Sequence, residues 1–126
     1  MNPRQRRPVN LDLRTIRMPV TAVASILHRI SGVVLFVAIG GLLWLWHLSL
    51  SSPQTFDCVR QTLDHPLGWA LMVGVMAAMA YHLCAGIRHL LMDCGLFEEI
   101  GSGRKSAAIA IALALVLTLL LGVWSW

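Results

Sequence analysis

Charged side chains are scarce in this chain: Asp, Glu, Lys and Arg together make up 13% of its 126 residues. Hydrophobic residues account for 57%, and the mean hydropathy is +0.71. A soluble domain of this size has too small an interior to bury so much apolar surface. The composition therefore excludes a soluble globular domain and indicates that a lipid bilayer solvates much of the chain.

Cysteine is also sparse. Cys58, Cys84 and Cys94 are far apart, and no spacing between them matches a zinc or redox motif, so we interpret all three as free thiols. The sequence has no glycine-rich nucleotide loop and no pattern typical of a catalytic triad. Its pI of about 9.6 suits a nucleic-acid binder. The basic residues are better explained by membrane topology and by contacts to lipid headgroups, so we predict no nucleic-acid partner.

Three apolar runs are long enough to cross a bilayer. They cover approximately residues 20–50, 67–92 and 107–126, and each reaches the ~20 residues that a spanning helix needs. The polar stretches between them leave no room for a second domain. The sequence therefore predicts an all-α fold, in which residues 1–126 form a single integral membrane domain with a bundle of three transmembrane helices.

Two connections join these predicted helices. Ser51, Ser52 and Pro53 are expected to end the first helix, and residues 54–66 to form the outer connection. Residues 93–104 are expected to form a polar loop before the third helix. The third helix has no ionisable residue from position 107 onward, so we predict that it only packs and faces lipid.

Basic residues are distributed unevenly along the chain. Five arginines precede the first span and Arg29 lies in its cytoplasmic part, and three basic residues lie around the second connection, whereas the first connection holds only Arg60. The positive-inside rule therefore places the N-terminus in the cytoplasm and the C-terminus in the periplasm. The five tryptophans lie at the opposite ends of the helices, as an aromatic belt does. We expect a bacterial inner-membrane protein whose first helix is an uncleaved signal anchor.

The second span carries side chains that a bilayer does not solvate. His82 lies in its interior, and Arg88 and His89 lie near one end. An arginine near the bilayer centre costs about 2.5 kcal/mol or more, so such residues need a partner. His82 and His89 are aligned about 10 Å apart along one helix face, with small residues on the same stripe. Small residues admit either a second helix or a haem, so an interhelical hydrogen bond and a haem ligand both remain open for His82.

A haem bound at His82 needs cationic donors for its propionates. The candidates on the cytoplasmic side of the bundle are His28, Arg29, Arg88 and His89. No second intramembrane histidine is placed to share the axial role, so the other ligand is expected from another chain. We interpret His47 and His65, toward the outer side, as interfacial or loop residues.

Another polar group lies at the start of the first helix. Ser25 and Arg29 are four residues apart and share a face, and His28 lies one turn from Ser25. Donors at the junction of an apolar helix and the cytoplasmic interface suit a ligand with a polar head and an apolar tail, such as a quinone. The alternative is that Arg29 reaches lipid phosphates while Ser25 bonds back to its own helix.

Two signatures in this sequence resemble those of a known family. The first comprises Arg7–Leu13, Pro19 with Thr21, and Ser25–Gly32; the second comprises Tyr81–His82, Gly86–His89 and Asp93. In this order, and with three spans, they resemble the cytochrome b membrane-anchor subunit of succinate dehydrogenase.

This resemblance implies a four-subunit respiratory complex. A flavoprotein oxidises succinate, an iron–sulfur subunit carries the electrons, and two small anchors hold haem b and a ubiquinone site. It implies that Ser25 and Arg29 bind quinone beside Ile26, and that His82 is an axial haem ligand whose counterpart comes from the second anchor. His28, Arg29 and His89 are implied as propionate neighbours. The resemblance further implies that succinate does not touch this chain, that the chain has no catalytic residue, and that it is not active alone.

Two other functions remain open at this point. The first is the anchor of a fumarate reductase, in which electrons pass through the same components in the opposite direction, toward fumarate. The second, from a different class, is a small helix-bundle transporter or assembly protein whose histidines carry protons or a metal.

Overall fold

The computed structural model of the chain describes Thr15 and residues 18–125. Within these residues the regular structure is entirely helical. The helices are α1 (Val20–Ser51), α2 (Pro53–Asp64), α3 (Pro66–Asp93) and α4 (Ile100–Trp124). Helices α1, α3 and α4 are long and apolar enough to cross a membrane. The prediction of an all-α protein with three transmembrane helices is therefore confirmed, although the Arg7–Leu13 part of the first signature lies outside the described residues.

Proline marks the start of the first three helices. Pro19 precedes α1, and Pro53 and Pro66 occupy the first turns of α2 and α3. Proline suits these positions because its fixed φ is already helical and because the first N–H groups of a helix have no partner within it. The prolines thus divide an almost continuously apolar chain into separate helices.

Helix α2 occupies the stretch that we predicted only as an outer connection. Its start is stabilised by a reciprocal capping box: the Ser52 hydroxyl accepts a bond from the Thr55 N–H at 3.1 Å, and the Thr55 hydroxyl accepts one from the Ser52 N–H at 3.0 Å. The Arg60–Asp64 ion pair on its surface, at 3.6 Å, is exposed and contributes little. A Ser-Pro-x-Thr pattern is the sequence signal for this helix, and hydropathy does not detect it.

Replacing Ser52 with alanine is expected to destabilise the first turn of α2 by about 1 kcal/mol, because the Thr55 N–H loses its acceptor. Hydrogen–deuterium exchange should then be faster at the amide of Thr55. The control is Ser49→Ala, which removes a hydroxyl bonded to the Trp46 carbonyl in α1. Equal exchange rates in the two variants would contradict the role of Ser52 as a cap.

The third span begins earlier than we predicted. Helix α4 starts at Ile100, so the polar loop expected at residues 93–104 is wrong and the connection is only residues 94–99. Helix α3 ends in a Schellman motif, in which Gly95 has a φ of 82° and its N–H bonds to the Met92 carbonyl at 2.9 Å. Polar side chains in the first turns of α4 do not stop the helix, because its backbone hydrogen bonds do not depend on hydropathy.

The helices pack through small residues. Helix α3 lies against both α1 and α4. Among the described residues, the buried apolar side chains are all alanines: Ala24, Ala80, Ala85, Ala107, Ala110 and Ala114. Small side chains let helix backbones approach closely in a membrane, where burial of large apolar groups gives no advantage over lipid. Three of these alanines belong to α4, in agreement with its predicted role as a packing helix.

Candidate functional site

Three histidines from α1 and α3 meet at the interface of these two helices. The rings of His28 and His82 are stacked, with centroids 4.2 Å apart and an interplanar angle of 20°. The His28 ring also contacts His89, at a centroid distance of 5.1 Å. The structure therefore brings together three of the predicted site residues, one from α1 and two that lie two turns apart on one face of α3.

Two glycines make this close approach possible. A Cβ atom at position 32 would lie 3.1 Å from Cε1 of His82, and one at position 86 would lie 3.4 Å from Nε2 of His28. Gly32 thus lets the His82 ring approach the α1 backbone, and Gly86 does the same for His28 at α3. A larger side chain at position 32 requires the His82 ring to move.

The hydrogen bonds of His82 define which ring nitrogen carries a proton. Its Nδ1 lies 3.1 Å from the Ser31 hydroxyl and 3.2 Å from the His28 carbonyl. The Ser31 hydroxyl donates its own proton to that carbonyl, at 2.8 Å, so toward His82 it acts as an acceptor. Because both neighbours of Nδ1 are acceptors, we assign the proton to Nδ1, which leaves a lone pair on Nε2.

His28 has an unsatisfied nitrogen. Its Nε2 is buried and forms no hydrogen bond with any residue that the structure describes. A buried polar atom without a partner costs about 1–3 kcal/mol. A group from outside the described residues that reached Nε2 would remove this cost.

Ser25, Ile26 and Arg29 lie in the first turns of α1. Ser25 is half-buried, whereas Ile26 and Arg29 are exposed. Neither the Ser25 hydroxyl nor the Arg29 guanidinium forms a hydrogen bond within the described part of the chain, so Ser25 does not bond back to its own helix there. Next to them, the Tyr81 hydroxyl donates to the Ala24 carbonyl at 2.8 Å and fixes α3 against this part of α1.

Arg88 does not join the histidines. It is 5% exposed and points to α4, where its Nε donates to the Ser106 hydroxyl at 3.0 Å and its Nη2 to the Gly103 carbonyl at 3.4 Å. The expectation that it faces the same ligand as His82 is therefore wrong. Six residues separate the two, which places them about 120° apart around the helix.

The remaining histidines and the cysteines do not belong to this histidine cluster. His65 caps α3, since its Nδ1 accepts a bond from the Leu67 N–H at 3.2 Å, and His47 is exposed. The three cysteines are free, as predicted. Sequence reasoning missed Ser31 and Gly32 as contacts of His82; their only signal was their position one turn after His28.

Comparison with known proteins identifies the family of this chain. The family model described as "Succinate dehydrogenase/Fumarate reductase transmembrane subunit" matches residues 3–121. The chain belongs to this family. The succinate dehydrogenase cytochrome b556 subunit of Coxiella burnetii is 43% identical over 123 residues, which are 96% of this chain and 98% of that protein. The subunit of the same name from Paracoccus denitrificans is 37% identical over 82% of this chain and 80% of that protein.

Family membership confirms the resemblance drawn from the two signatures. Together with the three apolar helices, it identifies the chain as a multi-pass membrane-anchor protein of the inner membrane. It favours the succinate dehydrogenase and fumarate reductase class over a small transporter or assembly protein.

Proposed function

We propose that this chain is the membrane-anchor subunit of a succinate:quinone oxidoreductase, respiratory complex II, and that it binds haem b through His82 and contributes to a ubiquinone-reduction site. The observation that carries the haem assignment is the hydrogen bonding of His82. Its Nδ1 is held by the Ser31 hydroxyl and the His28 carbonyl, so the lone pair of Nε2 is available to a metal. Histidine ligands in proteins commonly donate their other N–H to a carbonyl in this way.

The residues around His82 fit the haem. When bound, haem b supplies a one-electron redox centre. His82 would hold the haem iron through one imidazole nitrogen, and the second anchor subunit would supply another ligand. His28, whose buried Nε2 has no partner among the residues that the structure describes, would be a donor for a propionate together with His89 and Arg29. Buried carboxylates need such charge-assisted hydrogen bonds.

The quinone-binding residues are Ser25, Ile26 and Arg29. The Ser25 hydroxyl donates a hydrogen bond to a quinone carbonyl, and Arg29 stabilises the negative charge that builds up as the quinone is reduced. Ile26, which is 41% exposed, forms an apolar wall for the ring. The polar groups of Ser25 and Arg29 are available to bind a quinone because they have no hydrogen-bond partner within the described residues.

The orientation in the membrane completes the proposal. With the N-terminus in the cytoplasm and the C-terminus in the periplasm, the start of α1 lies at the cytoplasmic interface. The iron–sulfur subunit delivers electrons there, and protons are supplied from the same side. Succinate is oxidised on the flavoprotein subunit and does not reach this chain.

Purification in detergent through a tag on this chain tests the proposal. We expect a flavoprotein, an iron–sulfur protein and a second small anchor to copurify, with haem b detected as its pyridine haemochrome. A chain that purifies alone and without haem would contradict it. The family description also names fumarate reductase, so the rates of succinate oxidation by quinone and of fumarate reduction by quinol should be compared in the same sample.

Ser31→Ala is expected to weaken haem binding about tenfold. This is the lower end of the effect of losing a hydrogen bond to a metal-binding histidine, because the His28 carbonyl still holds Nδ1 of His82. The haem midpoint potential should shift as well. Haem titration and a redox titration of the purified complex measure both, and Ser31→Thr should restore them. Ser51→Ala, which removes a hydroxyl bonded to the His47 carbonyl, is the control. Identical titrations for the Ser31 and Ser51 alanine variants would exclude this role.

A further inference from the structure

A groove of about 410 Å³ lies between α3 and α4. Its apolar walls come from both helices, and they include Cys84, Ile87, Leu91, Ile109 and Leu113. Leu91 lies nine residues after His82, which is half a turn around α3, so the groove opens on a different face from the histidines. It is therefore separate from the proposed haem and quinone sites.

Arg88 gives this groove a buried positive charge. The side chain lines the groove, is 5% exposed, and donates only to neutral acceptors, the Ser106 hydroxyl and the Gly103 carbonyl. No carboxylate of a described residue lies within ion-pair distance of the Arg88 guanidinium. The ion pair found among the described residues joins Arg60 and Asp64. Burying a guanidinium without a counter-ion is costly, so an anion in the groove would be bound favourably.

Lys105 adds a second, accessible cation. It lines the groove from α4 and is exposed, and it lies near the end where residues 94–99 connect the helices. Leu113 lies eight residues further along α4, about 12 Å deeper by the helical rise. The groove thus combines a cationic end with an apolar channel. A soluble anion would contact only the cationic end and would leave the apolar channel unfilled.

We propose that the groove binds an anionic phospholipid, with its phosphate held by Lys105 and Arg88 and an acyl chain along the apolar walls. Basic pockets between transmembrane helices are known to recognise anionic headgroups in this way. The proposal does not depend on haem or quinone binding. In the proposed orientation the lipid belongs to the cytoplasmic leaflet.

Lipid retention by the purified complex tests this site. The complex is reconstituted in nanodiscs of phosphatidylcholine with phosphatidylglycerol, released into detergent, and the bound lipids are measured by native mass spectrometry. Lys105→Gln should retain phosphatidylglycerol about fivefold less well, the effect expected for one basic residue near a headgroup. Arg104→Gln is the matched control, because Arg104 is the adjacent exposed cation and does not line the groove.

A second pair of variants tests the apolar part without changing the charge. Ile109→Trp fills the groove and should also lose the lipid, whereas Leu115→Trp lies outside it and should not. The side chains of Leu115 and Ile109 are similarly exposed, at 60% and 58% respectively. Unchanged haem spectra and dye-linked succinate oxidation show that each complex is intact.

Four outcomes would overturn the proposal. The first is equal loss of lipid in the Lys105 and Arg104 variants, and the second is equal retention of phosphatidylcholine and phosphatidylglycerol. The third is displacement of phosphatidylglycerol by inorganic phosphate together with unchanged lipid retention in Ile109→Trp, which would identify a site for free phosphate. The fourth is a photo-crosslinker at position 109 that captures a polypeptide, which would identify a partner helix.

Discussion

Replacing His82 with alanine is expected to abolish the haem b absorbance of the purified complex. The substitution removes the nitrogen that we propose as the iron ligand, so haem affinity should fall by more than the roughly 10–100-fold that loss of an outer-shell partner costs. Difference spectra of dithionite-reduced membranes and the pyridine haemochrome measure the loss. Succinate oxidation by a soluble dye should persist, because in the proposed complex it takes place on other subunits.

The control for this experiment is another histidine of the same helix bundle. His47→Ala removes an exposed imidazole from α1 and should leave the spectrum unchanged. His82→Gly with added imidazole distinguishes a ligand from a structural residue, since free imidazole can occupy the space and restore a haem signal only if iron was the partner. An unperturbed spectrum in His82→Ala would end the haem proposal.

The fold was largely predictable from composition. Long apolar runs at least ~20 residues in length give the three spans, because a bilayer accepts helices with little regard for their detailed sequence. The errors lie where hydropathy carries no information. The first turns of α4 are polar yet helical from Ile100, and α2 depends on a capping box at Ser52 and Thr55. Local capping chemistry sets these boundaries.

The site was predictable in part. Helical periodicity places His82 and His89 on one face of α3, but their contact with His28 depends on the relative rotation of α1 and α3. That rotation depends on close packing at Gly32 and Gly86, which one sequence does not reveal. Arg88 was grouped with the histidines because it is adjacent to His89, although neighbouring residues of a helix point about 100° apart.

Arg29→Ala is expected to lower kcat for quinone reduction about 100-fold, the usual effect of removing a group that stabilises developing negative charge. Ser25→Ala removes one hydrogen bond that we propose the quinone makes in its bound ground state, so it should raise KM about fivefold and change kcat less. Steady-state kinetics with a soluble ubiquinone analogue separate the two effects. Dye-linked succinate oxidation should be unchanged in both variants.

The contrast between these two variants follows from where each group acts. Arg29 is exposed and has no partner within the described residues, so its charge is available to a substrate, and Arg29→Lys should recover part of the lost kcat because it keeps that charge. Arg104→Ala removes another exposed cation, from α4, and should have no effect on quinone kinetics. A loss of similar size in the Arg29 and Arg104 variants would indicate a general effect of surface charge. Unchanged quinone kinetics in both the Ser25 and the Arg29 variants would rule out the proposed site.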